Sequence, residues 1–205
     1  LYKANDMVKA DCGGCEGCSQ CCRGMGSSII LDPYDVYRLT TGIGKSMQEL
    51  LATSVELNVV DGVILPNLKM QGTKEACAYL DEEGRCSIHP YRPGICRLFP
   101  LGRYYENGGF SYFLQTGECA KENRSKIKVS KWIDTPDLTR NQQFTLQWHD
   151  LLHAMEERLT GEDEGKQQEE NLLLLRLFYL LPYKGTTDFY SQFMERMEYW
   201  NEQIR

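Results

Sequence analysis

The sequence predicts an α+β fold: a loop-rich, cysteine-containing domain with short β-hairpins and helices, followed by a C-terminal helical subdomain. Three observations lead to this prediction. Cysteines are crowded near the N-terminus, two hairpin signals follow them, and beyond Thr135-Pro136 the apolar residues recur at helical spacing. Placing the boundary at that dipeptide divides the 205 residues into domains 1–134 and 135–205, both within the usual size of folding units.

The part of the chain after the first cysteines begins with a strand and two capped helices. A short strand is predicted over Ser27–Leu31. Asp32-Pro33 supplies an N-cap and a proline at the first helical position, so a helix is expected to run to about Thr41. Ser46-Met-Gln-Glu49 is a capping box and predicts a second helix to about Thr53.

Two hairpins are expected next. Val55–Val60 and Val63–Leu65 flank Asp61-Gly62, a dipeptide typical of a two-residue hairpin turn. A second hairpin is predicted to join Gly102–Tyr105 to Phe110–Leu114.

The remaining segments complete the fold prediction. Cys77–Pro100 is rich in Pro, Gly and Cys and is expected to be mostly irregular. Three amphipathic helices are predicted over about 136–160, 167–182 and 186–204, with Pro182 ending the second.

Charge and hydropathy exclude several classes of partner. A formal charge of −6 and a pI near 5.2 argue against nucleic-acid binding, which needs a basic face; Lys121–Lys131, with five Lys or Arg, is interpreted as a solvated loop or strand. No apolar run approaches the ~18 residues of a membrane span. Because no signal-peptide pattern precedes the cysteines, a cytoplasmic location is expected.

The nine cysteines indicate metal binding. Five lie within eleven residues, where disulfides would close loops too short to stabilise the fold, and the total is odd. Spacings of two residues instead let successive sulfurs reach one metal centre. Gly13, Gly14 and Gly17 lie between these sulfurs, where the chain must turn tightly.

The number and identity of the metals stay open at this stage. Cys21 and Cys22 are adjacent and point apart, so they either serve two metals or divide into one ligand and one core residue. The chain can supply two four-thiolate sites, or one site with spare thiols. The CxxCxxC series favours an iron–sulfur cluster, as in ferredoxins, over zinc, which usually takes two well-separated CxxC pairs.

Several motifs together resemble a known family. They are Cys15-x-x-Cys18-x-x-Cys21-Cys22, Cys77-Ala-Tyr-Leu, Gly84-Arg-Cys-Ser-Ile-His89 and Tyr91-Arg-Pro-Gly-Ile-Cys-Arg-Leu-Phe-Pro100. This pattern is similar to the CxxCxxCC family of zinc- or iron-chelating proteins, over roughly residues 12–119.

The resemblance implies a set of ligands. The eight-cysteine pattern of the family maps onto Cys15, Cys18, Cys21, Cys22, Cys77, Cys86, Cys96 and Cys119, which leaves Cys12 as the extra thiol. Flagellin lysine-N-methylases share the pattern, which implies an iron–sulfur centre and S-adenosylmethionine as a further possible cofactor. This chain shows no glycine-rich strand-to-helix turn of the kind that binds nucleotide cofactors. The resemblance to the methylases therefore supports a shared cysteine cluster better than a shared methylase activity.

Three histidines and two arginines are further candidates. His149 and His153 stand four residues apart on a predicted helix, but surface or packing roles are the default. His89 is either a ligand, a hydrogen-bond donor to a thiolate, or bound to backbone. Arg92 and Arg97 flank Cys96 and either offset thiolate charge or form surface salt bridges.

Three functions are therefore compared. An iron–sulfur protein acting in electron transfer or in protein or peptide modification is favoured. A non-catalytic zinc-binding interaction module and a methylase that uses S-adenosylmethionine are the alternatives. A protein or peptide partner is expected, with neither nucleic acid nor membrane; the catalytic residues and the oligomeric state are left open.

Overall fold

The computed structural model describes residues 1–13, 15, 18–121 and 123–204. Gly14 and Gly17, two of the glycines expected to turn the cysteine loop, fall outside the described residues. The described part combines helices with short antiparallel strand pairs and confirms the α+β class.

The helices and strands have the following bounds. The helices are α1 (Pro33–Ile43), α2 (Met47–Thr53), α3 (Gly94–Leu98), α4 (Val129–Ile133), α5 (Leu138–Leu159), α6 (Glu164–Leu175) and α7 (Phe189–Gln203). The strands are β1 (Met7–Asp11), β2 (Val55–Val60), β3 (Val63–Leu68), β4 (Met70–Gln71), β5 (Ala76–Cys77), β6 (Leu101–Glu106), β7 (Gly109–Leu114) and β8 (Ser125–Lys128). The strands pair as β1–β8, β2–β3, β4–β5 and β6–β7, all antiparallel.

Both predicted capping boxes form. In α1, Asp32 accepts a hydrogen bond from the Asp35 backbone N–H, and the Asp35 carboxylate accepts one from the Asp32 N–H. Ser46 and Glu49 make the same exchange in α2. The first helix runs past Gly42 and ends at Gly44, whose φ of 66° closes the C-terminus in the left-handed conformation.

The two predicted hairpins, β2–β3 and β6–β7, are confirmed. The strand predicted over Ser27–Leu31 is reduced to one bridge between Ile30 and Asn67, because this segment reaches β3 through few backbone hydrogen bonds. Two features were not predicted from the sequence: the pairing of β1 with β8, and α3 inside the segment expected to be irregular. Neither element has a turn signal or an apolar period long enough to recognise.

The C-terminal helices form close to their predicted bounds, and Arg176–Leu180 continues α6 as a π-helical turn. Their apolar faces share one hydrophobic core with α1, α2 and β3; Leu39, Leu50 and Phe178 are fully buried in it. A smaller core contains Val8, Trp132 and other residues of β1, β6, β7 and α4. The division at residue 135 therefore stays a prediction, since the larger core draws on both sides of it.

None of the helices in the described part of the chain has the length and apolar character needed to cross a membrane.

Candidate metal centre

The fold brings all nine cysteines, none of them in a disulfide, to the lining of two cavities. The larger cavity has a volume of about 420 Å³. Seven cysteines line it: Cys15, Cys18, Cys21, Cys22, Cys77, Cys86 and Cys96. The remaining two, Cys12 and Cys119, line a smaller neighbouring cavity.

Strand pairing places Cys22 beside Cys77. The residue after Cys22, Arg23, forms a β-bridge with Ala76, the residue before Cys77. The backbone N–H of Gly24 also donates to the carbonyl of Glu75 at 2.9 Å. Two cysteines distant in sequence are thus held side by side by backbone hydrogen bonds.

Cys86 and Cys96 come from two further short elements. Leu80 and Cys86 form a bridge across a tight turn, which is closed by the Arg85 N–H donating to the Asp81 carboxylate at 2.6 Å. Cys96 is the third residue of α3, and this helix is tied to α1 by the bond between Gly94 and Asp35. Each of these sulfurs therefore depends on a different part of the fold.

Burial sets the protonation of most of these thiols. Removal from water raises the pKa of Cys77, Cys86 and Cys96, and neighbouring thiols raise each value further. These mutual effects show that the three sulfurs lie within electrostatic reach of one another. The protonated form is favoured until a metal displaces the proton.

Cys21 and Cys22 are an unequal pair. The hydrogen bond from Cys22 lowers the pKa of Cys21 to about 7. The same bond, followed by burial, raises the pKa of Cys22. Of this pair, Cys21 is therefore the thiol that ionises first, and Cys22, Cys77, Cys86 and Cys96 all interact with it.

The two arginines that flank Cys96 have different surroundings. Arg92 lines the larger cavity. Its charge offsets part of the rise that burial causes in the pKa of Cys15 and Cys86, and it adds to the lowering of the Cys21 pKa by the Cys22 hydrogen bond. Arg97 instead is buried against α4; its Nε donates to the carbonyl of Ile133 at 3.0 Å, and it lies 3.9 Å from Asp134. Of these two arginines, Arg92 is therefore the one that offsets the negative charge of the thiolates.

The three histidines also have different surroundings. His89 lines the larger cavity, and its Nε2 lies 3.1 Å from a guanidinium nitrogen of Arg92. Burial and the nearby arginines lower the pKa of His89, so the ring is neutral at pH 7. His149 stacks on Tyr105 with ring centroids 3.8 Å apart, and His153 lies 3.5 Å from Glu157. These contacts are the packing and surface roles expected by default.

The smaller cavity has a volume of about 20 Å³ and is lined by Cys12, Cys15, Cys18, Cys21 and Cys119. The sulfurs of Cys12 and Cys15 are 3.4 Å apart. Cys12, the extra thiol of the family pattern, thus lines the same cavity as four of the predicted ligands. Its position three residues before Cys15, in step with Cys18 and Cys21, was the available signal.

The donor chemistry fits a thiophilic metal. Every cysteine is uncrosslinked and only partly exposed, and the soft sulfur ligands suit zinc or iron. Within the part of the chain that the structure describes, no three His, Cys, Asp or Glu side chains converge closely enough to hold one ion. The sulfurs are gathered around the cavities, and ligation requires them to move inward.

These features define a cysteine-ligated metal-binding domain. The chain belongs to the CxxCxxCC family, described as a proposed zinc- or iron-chelating domain, whose model matches residues 14–120. No curated protein and no solved structure matches the chain. The matched residues contain the eight cysteines predicted as ligands and exclude Cys12. The assignment of those eight as ligands stays a prediction.

Proposed function

We propose that this chain is an iron–sulfur protein that acts in electron transfer or in the modification of a protein or peptide. The observation that carries the proposal is the set of seven cysteines spread around one cavity of about 420 Å³. A single zinc ion, with Zn–S bonds of about 2.3 Å, draws four sulfurs together and leaves no cavity between them. A polynuclear cluster keeps its thiolates further apart, because different irons bind different cysteines.

The residues best placed to hold the cluster are Cys96 and the four cysteines with which it interacts electrostatically: Cys21, Cys22, Cys77 and Cys86. Arg92 offsets part of their negative charge. Ile29, Leu68 and Ile88 form a buried apolar part of the wall, which limits water access. A bound cluster would supply one-electron transfer at a potential set by these surroundings.

The rim of the cavity supports a protein or peptide partner. Ile95 lines the cavity and is 40% exposed, and it lies next to Cys96 in sequence. Arg85 and His89 are exposed on the same lining. An apolar side chain beside an exposed cation, Arg85, at the edge of a redox centre suits a docking partner with an acidic surface. Nine uncrosslinked thiols also suit the reducing cytoplasm, where we place the protein.

Metal analysis of anaerobically purified protein tests the proposal. Iron with matching acid-labile sulfide, and visible absorbance that bleaches on reduction, is the expected result. Zinc as the sole metal, in a colourless protein, would replace the proposal with a zinc-binding interaction module.

The methylase alternative is separated by a second measurement. Titration with S-adenosylmethionine, monitored by calorimetry, is expected to give no saturable binding. Saturable binding that is lost with the cluster would instead favour protein lysine methylation.

A further inference from the structure

The smaller cavity differs from the larger one in size. At about 20 Å³ it exceeds the roughly 10–15 Å³ that one water molecule needs, so it suits one atom-sized guest and has no room for a cluster. Five cysteines contribute to its lining, and among them Cys12 and Cys119 line this cavity but not the larger one. The two cavities therefore suit different kinds of metal centre.

The spacing of one sulfur pair fits a single tetrahedral ion. The sulfurs of Cys12 and Cys15 are 3.4 Å apart. In a tetrathiolate zinc site with Zn–S bonds of about 2.3 Å, neighbouring sulfurs are about 3.8 Å apart. The pair thus already has nearly the separation of two ligands on one ion. The Cys18 N–H donates to the Cys15 carbonyl at 3.1 Å, a turn that keeps Cys18 near Cys15.

The fold fixes both ends of this group. Cys12 directly follows β1, whose last residue, Asp11, pairs with Ser125 of β8 and accepts a 3.0 Å hydrogen bond from its hydroxyl. Cys119 lies in the connection that leads into β8. The pairing of β1 with β8 therefore brings the connection that carries Cys119 to the end of the strand that Cys12 follows.

One wall of the cavity is held by a side-chain hydrogen bond. Trp132 lines it and donates from Nε1 to the carbonyl of Phe99 at 3.1 Å, and Phe99 and Pro100 are part of the same lining. Cys18 and Cys119 lie outside helices and strands, so an inward shift of either sulfur breaks no helix or strand hydrogen bond.

We infer that Cys12, Cys15, Cys18 and Cys119 form a second, separate site that binds a single zinc ion. This site does not depend on which metal occupies the larger cavity. It gives Cys12 a role that lies outside the residues matched by the family model. Tetrathiolate zinc of this kind is structural: it would fasten the N-terminal strand to the connection after β7.

The test uses the full chain, purified anaerobically and incubated with one equivalent of Zn²⁺, with zinc, iron and sulfide measured per chain. The wild-type chain is expected to hold about one zinc that resists gel filtration. Cys12→Ser and Cys119→Ser should lose most of the zinc and keep their iron and sulfide. Cys77→Ser and Cys86→Ser should lose iron and sulfide and keep the zinc. Far-UV circular dichroism verifies that each variant is folded.

A conservative variant separates ligation from packing. Cys12→His should retain the zinc that Cys12→Ser loses, since imidazole replaces thiolate in many zinc sites. Full zinc retention in Cys12→Ser, parallel loss of iron and zinc in all variants, or a wild-type chain without zinc would each overturn the second site. A chain that holds the zinc but no iron would overturn only the iron–sulfur proposal.

Discussion

The carboxylate of Asp35 accepts a 2.7 Å hydrogen bond from the backbone N–H of Gly94, two residues before Cys96. Its other oxygen accepts a 3.1 Å bond from the backbone N–H of Asp32. One buried side chain therefore closes the first turn of α1 and also anchors the start of α3. The position of the Cys96 sulfur depends on this residue.

Replacing Asp35 by Ala should affect both stability and metal content. Both N–H groups lose their acceptor, at a cost of roughly 1–3 kcal/mol in the free energy of unfolding. Cys96 is then held less firmly, so the iron content per chain should fall. Urea unfolding and iron analysis measure the two effects.

Glu49→Ala provides the matched control. Glu49 has the same capping role in α2, where its carboxylate accepts a 2.7 Å bond from the Ser46 N–H, but it is exposed. This variant should lose some stability and keep its iron. Equal iron loss in the two variants would show that the cysteines respond to stability alone.

Arg92→Gln should weaken metal binding near neutral pH. Without the guanidinium, the pKa values of Cys15, Cys21 and Cys86 should rise, because a nearby cation no longer favours the thiolates. The reduction potential of a bound cluster should also become more negative, since less positive charge offsets the added electron. Competition with a chelator and a redox titration measure these changes.

Arg85→Gln is the control for this prediction. Arg85 lines the same cavity but is exposed to solvent, which screens its charge. A smaller change in affinity and potential is expected. A larger effect at Arg85 than at Arg92 would contradict the assignment.

The stability of the metal-free chain should depend on alkaline pH. Burial raises the folded-state pKa of Cys77, Cys86 and Cys96 above the ordinary value of 9.0. Their contribution is then fully present below pH 9 and is lost as the pH rises through the raised values. Urea unfolding of chelator-treated protein should show this loss above pH 9. The metal-loaded chain should not lose stability in this way, because its ligands are already thiolates. If the stability of the metal-free chain instead rises above pH 9, the prediction is wrong.

Gly42→Ala should destabilise the chain, although alanine normally stabilises a helix by about 1 kcal/mol over glycine. A Cβ at position 42 would overlap the ring of Tyr91, the residue before Arg92. Overpacking of this kind costs roughly 1–3 kcal/mol. Thermal unfolding measures the change.

A double variant verifies this mechanism. Gly42→Ala combined with Tyr91→Ala should be less destabilised than the sum of the single changes, because the overlap is absent. If the effects of the two substitutions on stability are strictly additive, overlap with the Tyr91 ring is not the cause of the destabilisation.

The sequence supported local predictions well and distant ones poorly. The capping boxes of Asp32 and Ser46 and the turn at Asp61-Gly62 depend on neighbouring residues, so their elements could be located directly. The pairing of β1 with β8 joins distant segments and has no local signature. The same limit applies to the site: spacing indicated metal binding, but only the folded chain places the distant Cys119 in one cavity lining with Cys12.

The pairing of β1 with β8 also has a consequence for synthesis of the chain. As residues leave the ribosome in order, Cys77, Cys86 and Cys96 follow the first cysteine loop and complete the set of cysteines that line the larger cavity, while Cys119 is still to come. Strand β1 has no partner until β8 emerges. All seven cysteines of the larger cavity are therefore synthesised before Cys119, the last cysteine of the smaller cavity.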